Sequence, residues 1–375
     1  MNNPVAALRD ESARRGEWSL DVGAVLGDLE ASEQISEEGA QALRWALKQD
    51  GPLGLGSMDL AGQKFLLLGG TAELSPLSLL LGCGADVLTT NTSTASIERS
   101  LAAEPTRSRR VPGRLFTVRD GVDLLATPAE FAASAMNFAN GQHLHVGAFA
   151  YRGGQGREWR LTAAMDSIVR RLQSVGALRS ITYYLSPSIV SEVSAVTSSV
   201  SARRLVEQNT LWTGAARTLT CDWMYRINIA RRNSRQWVRS FIPRQGVSYM
   251  AGNLFGKNYA AEVHAASIVG HPQETLRVSA NVAPITRTQS TDLPETRRAF
   301  SELRTLGIKV FDPAVARRLM FLLMLRDLFG PTPTSVPELF AQQVHGGVFT
   351  NAWALDSVLR LAYLRAIARG RTLGD

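Results

Sequence analysis

The sequence predicts a doubly wound α/β protein built on a parallel sheet, and three observations carry that prediction. Short apolar runs recur at 65–68, 85–90, 115–118, 142–151 and 181–186. Stretches with apolar residues at helical spacing separate them, as at 128–138 and 159–172. Turn-forming residues stand at the junctions, among them Gly69, Gly70, Gly82, Gly84 and Pro187. Such alternation calls for right-handed crossovers between parallel neighbours.

The chain is organised around residues 64–91. Phe65 to Leu68 is an unbroken apolar run, as a strand covered on both faces requires, and Gly69 and Gly70 stop it. Pro76 falls in the first turn of the following helix, where its missing N–H costs nothing, and Leu77, Leu80 and Leu81 line one face. A helix N-terminus after such a turn offers free N–H groups and about half a positive charge to a phosphate. Gly69, Gly70, Thr71 and Ala72 are therefore the candidate phosphate-binding residues. Glu73, Leu74, Ser75 and Pro76 occupy the later positions, where glycine would admit a pyrophosphate, and Glu73 adds a negative charge. A bound dinucleotide and a purely structural turn both remain open.

The remaining elements follow in order. Residues 1–61 read as a helical extension, with apolar residues at helical spacing over 32–48 and a break at Asp50, Gly51 and Pro52. The glycines of 51–56 have no strand before them and are not a phosphate loop. His143 and His145 share one face of the fourth strand, but no acidic or cysteine partner stands near, so no metal site is expected. The main α/β unit spans 62–328, with strands at 277–288 and 308–311 and helices at 294–306 and 313–328. Residues 329–375 form a helical tail, with helices at 336–343 and 353–368 and a segment, His345 to Phe349, placed to fold back over a pocket.

Composition bounds the partners. The net charge of +8 comes from 37 arginines and four lysines, which favours anionic ligands: nucleotide phosphates, nucleic acid or acidic lipid. Two cysteines, Cys83 and Cys221, cannot form a disulfide framework, the N-terminus lacks a secretory signal, and no apolar run spans a bilayer. A cytoplasmic protein is expected. Residues 203–257 set ten basic residues among aromatic ones, including Trp212, Trp223, Tyr225, Trp237, Phe241 and Tyr249, against Glu207 and Asp222. They read either as a stacking and phosphate-binding surface for nucleic acid or acidic membrane, or as one long helix with Trp212, Leu219, Trp223 and Ile227 inward.

The order of elements, Leu68 to Ala72 at the first turn, Asn258 and Tyr259 opening a late helix, and Val278 to Thr288 together resemble the short-chain dehydrogenase/reductase superfamily over residues 62–328. The resemblance implies a Rossmann-like sheet, NADP or NAD as cofactor, and oxidoreduction of a carbonyl or hydroxyl on a fairly apolar small-molecule substrate by a homo-oligomer. It implies Tyr259 as acid or hydrogen-bond donor, Ser248 or Ser186 as the helper serine, and Gly69, Gly70, Thr71, Ala72, Asn91, Pro284, Thr286 and Thr288 around the cofactor.

In that superfamily a lysine four residues after the tyrosine lowers its pKa. Here Val263 follows Tyr259 at that spacing and His264 lies about 100° further round the helix. Tyr249 has Asn253 four residues on. A tyrosine without a cation is a poor base at neutral pH, yet it still donates a hydrogen bond. The second strand ends in Thr89, Thr90 and Asn91, with no acid to hold a free ribose hydroxyl, which disfavours NAD and adenosylmethionine and permits NADP. Two alternatives stand beside the enzyme: an inactive Rossmann-like binding protein, suggested by Glu73, Pro76 and Val263, and a nucleic-acid or acidic-membrane binder acting through 203–257.

Overall fold

The computed structural model describes residues 21–50, 58–90, 94–102, 113–151, 156–243, 245–270, 276–288 and 294–372. Helices α1 (Val22–Ala31) and α2 (Glu37–Asp50) precede β1 (Lys64–Leu68). Then follow α3 (Leu77–Gly82), β2 (Asp86–Thr89), α4 (Thr94–Ala102), β3 (Leu115–Thr117), α5 (Pro128–Ala139), β4 (Leu144–Ala148), α6 (Arg157–Ser174) and β5 (Leu178–Leu185). An insertion carries β6 (Val190–Glu192), α7 (Ala195–Gln208), α8 (Leu211–Leu219), β7 (Ile229–Arg232) and β8 (Arg235–Arg239). The chain returns through α9 (Gly246–Ile268), β9 (Arg277–Val282), α10 (Pro294–Thr305), α11 (Pro313–Phe329), α12 (Val336–Leu339) and α13 (Leu355–Thr372).

Six strands form one parallel sheet in the order β3-β2-β1-β4-β5-β9, the doubly wound arrangement that the alternation predicts. Strand β4 is buried along its whole length and β1 from Phe65 to Leu68, which is why they read as continuous apolar runs. On one face α5, α6 and α9 close a core around Leu66, Val146, Ile181 and Val278. On the other, α11 presents an almost wholly buried surface, with Phe321, Met324 and Leu325 against β1 and Phe149, while Leu319, Met320 and Leu323 meet α1 and α2. A helix apolar all round is what burial between sheet and extension selects. Among the described residues no helix is long and apolar enough to cross a membrane.

Several expectations are corrected. Residues 203–257 are not one helix: they hold the end of α7, all of α8, a hairpin and the start of α9. The hairpin turns at Asn233 and Ser234, both at positive φ, and pairs with β6 in a three-stranded antiparallel sheet. Trp212, Leu219, Trp223 and Ile227 are 85%, 84%, 46% and 41% exposed rather than inward. Residues 308–311 make only an isolated bridge, Phe311 to Thr286. His345 to Phe349 fold inward rather than over a pocket: His345 is buried and stacks on Phe349. His145 is a core histidine, its ring between Ser180 Oγ at 2.8 Å and Gln63 Oε1 at 3.1 Å, and burial lowers its pKa to about 4.

One buried carboxylate links α11 to β9. Asp327 is 1% exposed and its Oδ2 accepts from Ser279 Oγ at 2.7 Å and Asn281 Nδ2 at 2.6 Å. Burial pushes its pKa up to about 6 against the pull of those two donors. A folded carboxyl that holds its proton more tightly than the unfolded one loses stability as pH rises from its ordinary value of 3.8 to about 6. Asp327→Asn is therefore expected to raise unfolding free energy at neutral pH, by at most about 3 kcal/mol, and to flatten its fall across that window. Urea denaturation at a series of pH values checks this; an unchanged pH slope in the variant contradicts it.

Candidate functional site

Beyond the carboxyl ends of β1, β4, β5 and β9 lies a cleft of about 1420 Å³, at the edge where open α/β sheets bind ligands. Its volume exceeds the roughly 300–1,000 Å³ usual for small-ligand pockets. One end is formed by the turn 71–75 with Ser96, Arg99 and Ser100 of α4. The middle is floored by Ala148 to Tyr151 and Tyr183 to Pro187, and walled by the first half of α9 and by Ala283 to Thr286 with Thr288. A largely apolar cap of Trp223, Ile242, Phe300, Leu359 and Tyr363 comes from the insertion, α10 and α13.

The turn is built by close packing. Gly69 has a φ of 92°, and a β-carbon there would lie 2.4 Å from the Ala150 backbone. Gly70 donates its N–H to Thr89 Oγ1 at 3.0 Å, and that hydroxyl donates to the Leu67 carbonyl at 3.0 Å. A β-carbon on Gly70 would meet Thr89 Oγ1 at 2.2 Å. Both glycines thus lie beneath the cleft rather than in its wall, while Thr71 and Ala72 line it. The buried guanidinium of Arg317 donates Nε and a terminal nitrogen to the Glu73 carbonyl, at 2.9 and 2.8 Å, and fixes the outer half of the turn. Leu74 packs towards α1, α2 and α11. Helix α3 is one and a half turns long and begins after Pro76, so its terminus offers a weaker anion site than the sequence suggested. Ser75 lines the cleft, and its Oγ is buried without a hydrogen-bond partner among the described residues.

At the other end stands a polar cluster centred on Ser186. Asn253 accepts the Ser186 N–H at 2.9 Å and donates Nδ2 to Ser186 Oγ at 2.7 Å. Ser188 N–H also donates to Ser186 Oγ, at 3.0 Å, and Gln245 Oε1 accepts from Ser188 Oγ at 2.5 Å. The Ser186 hydroxyl lies beside the Tyr249 phenol and slightly opposes the rise of its pKa. Burial, with the Glu158 carboxylate and the Tyr151 ring nearby, drives the Tyr249 pKa well above the ordinary phenol range. Tyr249 accordingly keeps its proton near neutral pH, with the Tyr151 ring edge-on at 5.0 Å.

The sequence-expected residues separate into two groups. Ser186, Thr71, Ala72, Pro284, Thr286 and Thr288 all line the cleft, whereas Asn91 lies outside the described residues. Ser248 and Tyr259 are not among the residues lining it. Tyr259 is 2% exposed, donates its hydroxyl to Gln173 Oε1 at 2.5 Å, and lies under the Arg170 guanidinium at 4.8 Å. The reason is helix phase and length. Helix α9 starts at Gly246, so the tyrosine in its first turn is Tyr249, and Tyr259 sits about 15 Å further along the axis. Tyr249 and Asn253 have the tyrosine-plus-four spacing but a neutral amide in place of a cation, which is why the sequence set them behind Tyr259.

No protein-family model matches the sequence, and no curated protein matches it. Solved structures do overlap it. The angucycline C-6 ketoreductase LanV, with bound NADP, is 16% identical, with a TM-score of 0.46 over 78% of this chain and 97% of its own. L-Sorbose reductase from Gluconobacter frateurii, complexed with NADPH and L-sorbose, is 14% identical, with a TM-score of 0.42 over 78% and 98%. A short chain oxidoreductase from Pseudomonas aeruginosa PAO1 containing an atypical catalytic center is 17% identical, with a TM-score of 0.43 over 77% and 98%.

Gly69→Ala should lower stability by about 2–4 kcal/mol through strain and the Ala150 clash, read as a shift of the urea midpoint. A change below about 0.5 kcal/mol contradicts the packed-turn account. The chain is a doubly wound Rossmann-like α/β protein with its cleft at the carboxyl edge of the sheet.

Proposed function

We propose that the protein is an NADP-linked reductase of a carbonyl on an apolar substrate, with Ser186 and Tyr249 as the hydrogen-bonding pair at the reacting oxygen. The observation that carries this is the pair itself, with Ser186 held by Asn253 at the end of β5 and Tyr249 beside it, inside a cleft of about 1420 Å³. The residues present suit such a cofactor. Thr71 and Ala72 can take pyrophosphate oxygens, and Thr286 and Thr288 can meet the other end. Arg99, exposed at the cleft wall on the helix after β2, suits a ribose 2′-phosphate. A bound nicotinamide supplies hydride.

The chain's own residues set the direction. Ser186 is positioned by bonds from Asn253 and Ser188, so its hydroxyl is oriented before a substrate arrives. Tyr249, with its raised pKa, can donate a proton to an oxygen that becomes alkoxide but cannot serve as base to an alcohol near neutral pH. Reduction is favoured over oxidation. The cap of Trp223, Ile242, Phe300 and Leu359 excludes water and selects apolar substrates.

Titration with NADPH, followed by its fluorescence, and assay against a panel of apolar ketones and aldehydes test the proposal. NADPH should bind, and Tyr249→Phe should keep that binding while lowering turnover by about 10²–10⁴-fold. Tyr259→Phe should leave turnover unchanged. Failure to bind NADPH, or loss of turnover in Tyr259→Phe alone, overturns the reading. Arg99→Ala should weaken NADPH binding about tenfold or more and leave NADH unaffected, as competition titrations would show; equal losses for both contradict the 2′-phosphate assignment.

A further inference from the structure

Helix α8 is folded inside out. None of its nine residues is buried, although it has a well-separated apolar face. Leu211, Trp212, Ala215 and Leu219 fall within an arc of about 100°. Leu211, Trp212 and Leu219 are 94%, 85% and 84% exposed. The polar residues are engaged locally: Thr213 exchanges hydrogen bonds with Thr210 in a capping box, and Arg217 pairs with Asp222 at 3.2 Å. A surface helix ordinarily buries its apolar face.

The surroundings are basic. Residues 195–243 hold eight arginines; Arg203 and Arg204 pair with Glu33, Arg226 with Asp356, Arg235 with Glu192 and Arg217 with Asp222. Arg231, Arg232 and Arg239 are exposed and make no ion pair among the described residues. A second copy of this chain would meet the patch with the same arginines and be repelled. Leu211 and Leu219 offer nothing to a base or a phosphate. Leucine and tryptophan on one face, with arginines beside them, match the interface of an anionic bilayer.

The apolar track also reaches the cleft. Trp223, four residues past α8 and 46% exposed, lies under the Arg360 guanidinium at 5.2 Å and lines the cleft. Leu364, one turn beyond Arg360 on α13 and 44% exposed, lines it too.

We propose that the outward face of α8 docks the protein on an anionic lipid surface, with the cleft mouth beside it taking apolar substrate from the bilayer. Substrate delivery rests on the carbonyl-reductase reading above; docking does not.

Flotation of the full chain with phosphatidylcholine vesicles, with and without phosphatidylserine, at low and high salt, tests the docking. The protein should float with the anionic vesicles and less so at high salt. The triple variant Leu211→Ser, Trp212→Ser, Leu219→Ser should lose about tenfold or more in vesicle affinity. Because those side chains stand in solvent, its melting temperature and NADPH affinity should not move. Unchanged vesicle binding by the triple variant overturns the proposal, as does absence of binding by the parent chain. So does a parent dimer that the variant converts to monomer, which would assign the face to self-association. Loss of NADPH binding with vesicle binding intact would strike the reductase reading alone.

Discussion

A turn with no room for side chains underlies the whole site. The chain leaving β1 presses Gly69 against the Ala150 backbone and Gly70 against Thr89, so three neighbouring strand ends are locked at one level. Any β-carbon at either position would lift the turn away from the sheet. Arg317, reaching from α11, holds the far side of the turn by the Glu73 carbonyl. The cleft therefore has a rigid floor, and its walls are free to come from elsewhere in the chain.

Those walls are supplied by additions to the doubly wound plan. The insertion after β5 brings Trp223 and Ile242, and α10 and α13 bring Phe300, Leu359 and Tyr363. The insertion and these C-terminal helices share one apolar cluster around Val238, Leu303, Trp353 and Leu359, so the cap is packed as a unit. The N-terminal helices do different work: α1 and α2 cover α11, which lies against the sheet and carries Arg317 and Asp327. Within the cleft, Asn253 occupies the position where a cation would make a neighbouring tyrosine acidic. An amide there orients Ser186 and brings no positive charge to Tyr249, whose pKa is raised chiefly by burial.

Strands β1, β2, β4 and β5 were legible from sequence because burial on both faces leaves a continuous apolar run, and the helices between them from their 3.6-residue period. That Thr71, Ala72, Pro284, Thr286 and Thr288 line the cleft was legible, since strand ends fix where such residues stand. The place of Tyr249 in the cleft was not. Placing the late helix start near Asn258 rather than at Gly246 shifted attention ten residues, from Tyr249 to Tyr259. Residues 203–257 misled for a related reason: aromatic and apolar side chains at helical spacing argue for burial, and α8 turns them to solvent. Periodicity reports that a face exists, not which way the fold points it. Residues 308–311 have strand-like composition but find a single bridging partner, because the sheet already ends at β9.

The central claim is that the turn after β1 and the Ser186–Tyr249 pair are two ends of one ligand site. A crystal structure of the protein grown with NADPH tests it most directly. The account places the pyrophosphate over residues 71–75, the ribose phosphate at Arg99 and the nicotinamide ring beside Ser186 and Tyr249. Density that leaves the turn empty, or that seats the ring away from Tyr249, would contradict it.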